Sequence, residues 1–348
     1  MLKTKFSSYC VNSLPSGCKL CVRGKKLVVF ITGLCQRNCW YCSLSEKRKN
    51  KDKIWVNEIE CKNIKEMLEE AKESRATSAG ITGGDPFLCF KRTLKFVSAL
   101  KRNFGKNFHI HIYLPTKFLT KEKLKKLSKY IDEVRFHPEF LARKLSNKEI
   151  ERDIERIKQA NLFWKKQDIG IELPMLPDKK QSIFEFIKKI SKYIGFVNLN
   201  ELEISDTNFN FITKNYKLKE GGYVVAGSKE AGLWILKKCE KENKLKLKVH
   251  LCTAELKNNF QFRERLKRHK ILPFGKRTKD GLVVYFITNI KNHKTLKKAK
   301  LKFFIDKKKN RIILSEKTAK KLLNFGLKVE RVEEFPTYDA IEVEREEV

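Results

Sequence analysis

From Leu27 onward the chain alternates between short apolar runs and longer stretches in which apolar residues recur every three or four positions. Leu27-Val28-Val29-Phe30-Ile31-Thr32 is continuous, as a strand buried on both faces requires. Over 58–74, Ile64, Met67, Leu68 and Ala71 repeat at helical spacing. The pair of patterns then recurs. A strand at 78–82 precedes a helix near 90–103, and the alternating His109-Ile110-His111-Ile112-Tyr113 within 108–114 precedes a lysine-rich helix at 120–130. Glu133-Val134-Arg135-Phe136 is followed by a helix at 147–163. A strand at 169–173, closed by Pro174 and Pro177, is followed by a helix at 181–193, and a strand at 196–203 by one at about 228–243. Six strand-then-helix units in series predict a parallel sheet joined by right-handed crossovers.

Outside this series the texture changes. From about 280, Gly281-Leu282-Val283-Val284-Tyr285-Phe286-Ile287-Thr288, Leu301-Lys302-Phe303-Phe304-Ile305 and Arg311-Ile312-Ile313-Leu314 read as strands, with a helix at 315–325 and a last strand near 340–343. The organisation expected is a cysteine-bearing arm over 1–26, an α/β core over 27–250, a basic helical linker over 251–280 and a small α+β module over 281–348.

The candidate chemistry lies between the first strand and the first helix. Cys35-Gln36-Arg37-Asn38-Cys39-Trp40-Tyr41-Cys42 sets three thiols at CxxxCxxC spacing. Three cysteines can hold three corners of a [4Fe–4S] cube and leave one iron open, whereas electron-transfer clusters take four thiolates and structural zinc sites are closed. Taken alone, the loop could also be part of an incomplete zinc site. A second signal follows the second strand, where Gly83-Gly84-Asp85-Pro86 reads as a tight turn with proline opening a helix. Glycines there permit close backbone approach.

Together, the CxxxCxxC loop with its aromatic Tyr41, the GGDP turn and the six units resemble the radical S-adenosylmethionine (SAM) superfamily over roughly residues 25–250. The resemblance is closest to archaeal members described as related to pyruvate formate-lyase activating enzyme. It implies a partial (β/α)6 barrel with the small module appended, and a site at the C-terminal ends of the strands. Cys35, Cys39 and Cys42 would ligate a [4Fe–4S] cluster whose open iron chelates SAM. Reduction by a low-potential electron donor would then give methionine and a 5′-deoxyadenosyl radical. The turn at Gly83, Gly84 and Asp85 would present backbone to the SAM amino group, with Asp85 where the family usually has Glu. Tyr41 would lie against the adenine or simply pack, and Trp40 is core. Arg135, with His137 beyond it, stands where a carboxylate- or ribose-binding group belongs, though an ion pair explains an arginine there equally well. Gly170-Ile171-Glu172, Asn200 and Glu203 are further hints of adenosine contacts.

Four more cysteines remain to be placed. Cys10, the Cys18-Lys19-Leu20-Cys21 pair and Cys252 could close an auxiliary site for zinc or a second iron–sulfur cluster, or they are packing. Cys61, Cys89 and Cys239 read as small core residues. His109 and His111 share a strand face, where they are substrate-lining or ordinary strand residues. Ten cysteines beside such a loop suit a reducing cytoplasm rather than disulfides. No run approaches the roughly 18 apolar residues of a membrane span, and no signal-peptide core precedes Cys10.

The charge, 77 basic residues against 41 acidic ones, is uneven. Residues 1–53 hold 12 Lys/Arg against 2 Asp/Glu and residues 237–302 hold 21 against 5, while 303–348 balance. Two basic regions suit a polyanion, and a solvated lysine surface explains them nearly as well. RNA, tRNA included, is thus the first substrate class expected, docked by 237–302 and the N-terminal arm and densest at 263–270. The alternative is activation or modification of a protein. A cluster-bearing binding protein is the third class, disfavoured because an open iron beside a SAM-type turn has little structural purpose.

Overall fold

A computed structural model describes residues 1–242 and 245–348. The chain divides into two compact units, one formed by residues 1–72 and 76–262, the other by residues 73–75 and 263–348.

In the first unit seven parallel strands lie side by side in chain order: β3 (Lys26–Phe30), β6 (Ser78–Thr82), β7 (His109–Pro115), β8 (Glu133–His137), β9 (Ile169–Met175), β10 (Phe196–Glu201) and β11 (Lys248–Cys252). The sheet does not close. On one side β3 pairs antiparallel with β4 (Ile54–Val56) and β4 with β5 (Ile59–Cys61); on the other, β11 pairs antiparallel with β2 (Tyr9–Val11), itself paired with β1 (Leu2–Lys3). This is the partial α/β barrel expected, with one parallel strand more than the six units read from sequence. That seventh strand places Cys252 inside the barrel wall, where the sequence pattern put it beyond the barrel's end.

Helices cover the outer face by burying one stripe each. In α3 (Phe90–Phe104) Thr93, Phe96, Val97 and Leu100 face inward at the i, i+3, i+4, i+7 spacing of an amphipathic helix. The helix at Asn147–Lys158 opens on a capping box made by Ser146 and Glu149.

Several elements depart from their expected bounds. The stretch read as the start of a helix at 58 is instead the β4–β5 hairpin, turned at Asn57, whose φ of 50° suits asparagine better than most residues. Pro174 continues β9 opposite Asn200 instead of ending it. The arm over 1–26 is not irregular, since it supplies β1, β2 and the short helix α1 (Ser16–Cys21). Between β2 and β3 the chain therefore passes from one edge of the open sheet to the other by way of α1.

The second unit carries a six-stranded antiparallel sheet with helices at His293–Lys298 and Glu316–Asn324. No separate linker covers 251–280. Residues through 262 belong to the barrel unit and the rest to the second. The helix Arg263–Arg268 is short, and Lys270 pairs with Glu73 at 3.0 Å, Arg263 with Asp280 at 3.1 Å and Lys267 with Glu264 at 3.1 Å. His269, inside the segment 263–270 expected to be the densest part of the basic surface, is buried.

Candidate active site

The register of the parallel strands decides what the barrel encloses. His111 stands opposite Glu133, Arg135 opposite Gly170, Glu172 opposite Asn198, and Asn198 opposite His250. Partners across a ladder share a face, so these polar side chains all turn to the concave side while the alternate positions pack under the helices. Arg135, Glu172, Asn198 and His250 line a chamber of about 520 Å³, the size of a nucleoside-scale ligand site, while His111 and Glu133 are buried outside its lining.

The cysteine loop hangs over this chamber. Its neck is drawn shut by backbone bonds from Gly33 N to Lys51 O at 2.8 Å and from Asn50 N to Gly33 O at 3.0 Å. A Cβ on Gly33 would lie 1.6 Å from the Arg48 carbonyl, so only glycine fits that neck. Asp52 braces the return strand, accepting from Thr32 at 2.8 Å and from both ends of the Arg92 guanidinium at 2.5 and 2.9 Å, which hold its carboxyl down to about 2. Within the loop, Arg37 donates to the carbonyls of His137 (2.5 Å) and Pro138 (3.0 Å). Further along, Thr207 donates to the carbonyl of Leu44 at 2.6 Å. Thus an irregular segment is fastened at its neck, to the end of β8 and to the turn beyond β10, and Cys35, Cys39 and Cys42 all line the chamber. Burial pushes the Cys35 and Cys39 thiols up.

The glycine turn lies directly beneath the loop. Gly84 N donates to Thr32 O at 2.7 Å and Asp85 N to Leu34 O at 2.8 Å. A Cβ on Gly84 would come within 2.3 Å of Leu34 O, and one on Gly83 within 2.7 Å of Thr32 O. The close approach that these glycines permit is therefore to the backbone entering the cysteine loop. Gly83 and Gly84 line the chamber, whereas Asp85 is buried, accepts from Phe87 N at 2.9 Å and has its pKa raised by that burial.

Arg135 takes the ion-pair alternative, though buried and not at the surface. Its side chain is 1% exposed, and it donates to Glu133 (Nε, 2.7 Å), Glu172 (Nη1, 2.8 Å) and Cys18 (Nη2, 3.3 Å). With its fork so engaged it is not free to clamp a cofactor carboxylate; it anchors the chamber floor. Burial alone would push the Glu133 carboxyl up, but the Arg135 charge, the Gly17 N–H at 2.8 Å and His109 outweigh it and hold it below the usual range. Gly17 lets α1 close this floor, since a Cβ there would lie 2.5 Å from His111 Nδ1.

Tyr41 is buried, and its hydroxyl bonds Nε2 of His137 at 2.9 Å. Burial, with the Arg37 charge adding to it, lowers His137 to about 4. The ring is thus neutral near pH 7: Nδ1–H donates to the Glu172 carbonyl at 2.8 Å and Nε2 accepts. Glu172 accepts from both Asn198 (2.8 Å) and Asn200 (2.7 Å) through Oε1. Trp40 is only half-buried, resting on Phe211 and Tyr216.

Of the auxiliary cysteines, Cys18, Cys21 and Cys252 line the same chamber, and Cys10 does not. Among the described residues no three His, Cys, Asp or Glu side chains converge where a single metal ion could sit. His109 is set apart from the chamber lining and His111 lies in the floor, bonded to Lys26 and Tyr113 at 3.1 Å each. Cys61 and Cys239 are buried, and Cys89 is half-buried, 3.7 Å from Asp52. Sequence pattern missed Arg37, Asn198 and His250. The last could have been found as the alternate position of a strand Lys248-Val249-His250-Leu251-Cys252.

A family model for the radical SAM superfamily matches residues 29–190. A Methanocaldococcus jannaschii protein with the provisional name of glycyl-radical enzyme activating enzyme is 36% identical over 356 aligned positions, covering 96% of this chain and 92% of its own. Solved structures align more distantly. Escherichia coli coproporphyrinogen III oxidase (HemN), a radical SAM enzyme, is 13% identical with a TM-score of 0.40, over 67% of this chain and 56% of its own. Native anSMEcpe with bound AdoMet is 14% identical with a TM-score of 0.41, over 63% and 61%. The chain spans less than two thirds of either structure, and overlaps this slight carry no argument about substrate. No described helix is long and apolar enough to cross a membrane.

Proposed function

Because the chain belongs to the radical SAM superfamily, an enzyme family built on a [4Fe–4S] cluster and SAM, we propose that it activates a protein by abstracting a hydrogen atom from it. The observation that carries this reading is the 36% identity across nearly both full lengths to a relative named as a glycyl-radical enzyme activating enzyme.

The donor set fits the cluster: three thiols on one braced loop, all open to a common chamber, with no fourth cysteine in that loop. Cys35, Cys39 and Cys42 would hold it. When bound and reduced, the cluster supplies cleavage of SAM to methionine and a 5′-deoxyadenosyl radical. The chain's own residues position and enclose. Gly83 and Gly84 bring the second strand's end against the loop, Tyr41 and His137 lock the loop to the fourth parallel strand, and Glu172 and Asn200 offer polar atoms to the chamber. Enclosure keeps water from a reactive species.

The RNA expectation rested on clustered charge, and no relative's name supports it. Its densest segment is also largely occupied: Arg263, Lys267 and Lys270 form ion pairs, Arg268 donates to the Arg75 carbonyl, and His269 is buried.

The test is label transfer. Anaerobically reconstituted protein, reductant and SAM are mixed with a glycyl-radical-type polypeptide deuterated at glycine Cα, and 5′-deoxyadenosine is analysed by mass spectrometry. Deuterium in the product is expected. Its absence from every such polypeptide, with transfer instead from deuterated tRNA, would overturn the reading.

A further inference from the structure

Three thiols in the chamber take no part in the cysteine loop. Cys18 and Cys21 enter from α1, and Cys252 enters as the last residue of β11. Cys18 and Cys252 are buried, at 4% and 8% exposed, and Cys21 is half-buried.

His250 shares this corner and is 1% exposed. Its Nδ1 lies 2.6 Å from the side-chain oxygen of Asn198, which can only accept, so Nδ1 carries the proton and Nε2 is the basic nitrogen. Nε2 is buried and has no hydrogen-bond partner. Leaving such a buried atom unmatched is unfavourable. Asn198 is itself held by donation to Glu172 (2.8 Å) and to Asn200 (3.3 Å), which turns its oxygen toward His250 and toward Cys18, 3.6 Å away. A second group that fixes the tautomer and presents the other nitrogen is how proteins prepare a histidine ligand.

We infer that Cys18, Cys21, Cys252 and His250 hold a second iron–sulfur cluster of the [4Fe–4S] type, closed by the histidine. A single zinc ion would need these side chains to meet at one point, and no such group of three is present among the described residues. A cube bonds each ligand to a separate iron, so its donors stand apart. Arg135, 3.3 Å from the Cys18 sulfur, supplies positive charge beside the thiolates such a cluster requires. Cys10 does not line the chamber and is not a ligand.

The site can be tested without the first cluster. C35A/C39A/C42A protein, reconstituted anaerobically with iron and sulfide, should retain about four irons and four sulfides per chain and give the paramagnetic resonance of a reduced [4Fe–4S] centre. Adding Cys18→Ser and Cys21→Ser should remove both, with folding checked by circular dichroism. In the wild type, His250→Gln should keep the iron and shift the resonance and reduction potential. A folded triple variant free of iron, or one holding zinc instead, would overturn the inference, as would iron that survives loss of Cys18 and Cys21. Failure here leaves the first cluster's iron content unchanged, so the two readings are separable.

Discussion

The hydroxyl of Tyr41 donates to Nε2 of His137 across 2.9 Å, tying the cysteine loop to the end of the fourth parallel strand. The bond requires a neutral imidazole, because a protonated ring has no lone pair to offer. Burial and the Arg37 charge lower His137 from its ordinary 6.5 to about 4. With the folded value below the unfolded one, the unfolded chain binds the proton first. Stability is therefore complete above about pH 6.5 and declines as pH falls toward 4.

The ring is partly open to the chamber, so the roughly 3 kcal/mol equivalent to that shift is an upper limit. Urea unfolding of wild type and His137→Gln, in the same metal state, should diverge in slope between pH 6.5 and 4. Parallel profiles would remove His137 from the acid response.

Glycine substitutions should separate the loop's neck from glycines elsewhere. At Gly33 a methyl would meet the Arg48 carbonyl, and at Gly84 the Leu34 carbonyl, neither of which is the movable end of a side chain. Gly33→Ala and Gly84→Val are thus expected to displace the thiols and lose iron, not merely to weaken SAM binding. Gly105, at φ +84° with nothing within 4 Å, is the control. Gly105→Ala, at φ +84° and ψ 172°, should cost about 1–3 kcal/mol of backbone strain and still retain iron. Normal iron in Gly84→Val, with only SAM affinity reduced, would show that the turn serves the cofactor directly.

What could be read from sequence follows from how local each signal is. CxxxCxxC and GGDP are contiguous, and apolar periodicity marks strands buried on both faces, so the cysteine loop and the six units were visible. Arg135 was visible as a strand residue, but its partners Glu172 and Cys18 are 37 and 117 positions away. Strand register brings Glu172 to the guanidinium, and the packing of α1 brings Cys18. His250 carries a weaker local signal: Lys248-Val249-His250-Leu251-Cys252 does alternate, but over only five residues beside a basic helix. Charge is less local still, since a count of lysines does not show which are already paired.

The floor makes the sharpest energetic prediction. Arg135 and Glu133 are each 1% exposed and meet at 2.5 Å, with Glu172 at 2.8 Å on the other side of the guanidinium. Removing one member strands the others without water, which costs about 3–5 kcal/mol for a buried pair. Arg135→Met leaves two carboxylates facing each other, and Glu133→Gln leaves Gly17 N–H and Arg135 with a weaker acceptor. Arg135→Lys should also be costly, because an ammonium cannot reach Glu133, Glu172 and Cys18 with one planar fork. The double variant Arg135→Met with Glu133→Gln should lose less than the sum of its parts, since the second change removes a charge that the first left unpaired. Denaturant midpoints of the two single variants and the double one measure this directly. Additive losses would mean that the two residues stabilise the barrel separately, and that Glu172 alone is the arginine's working partner.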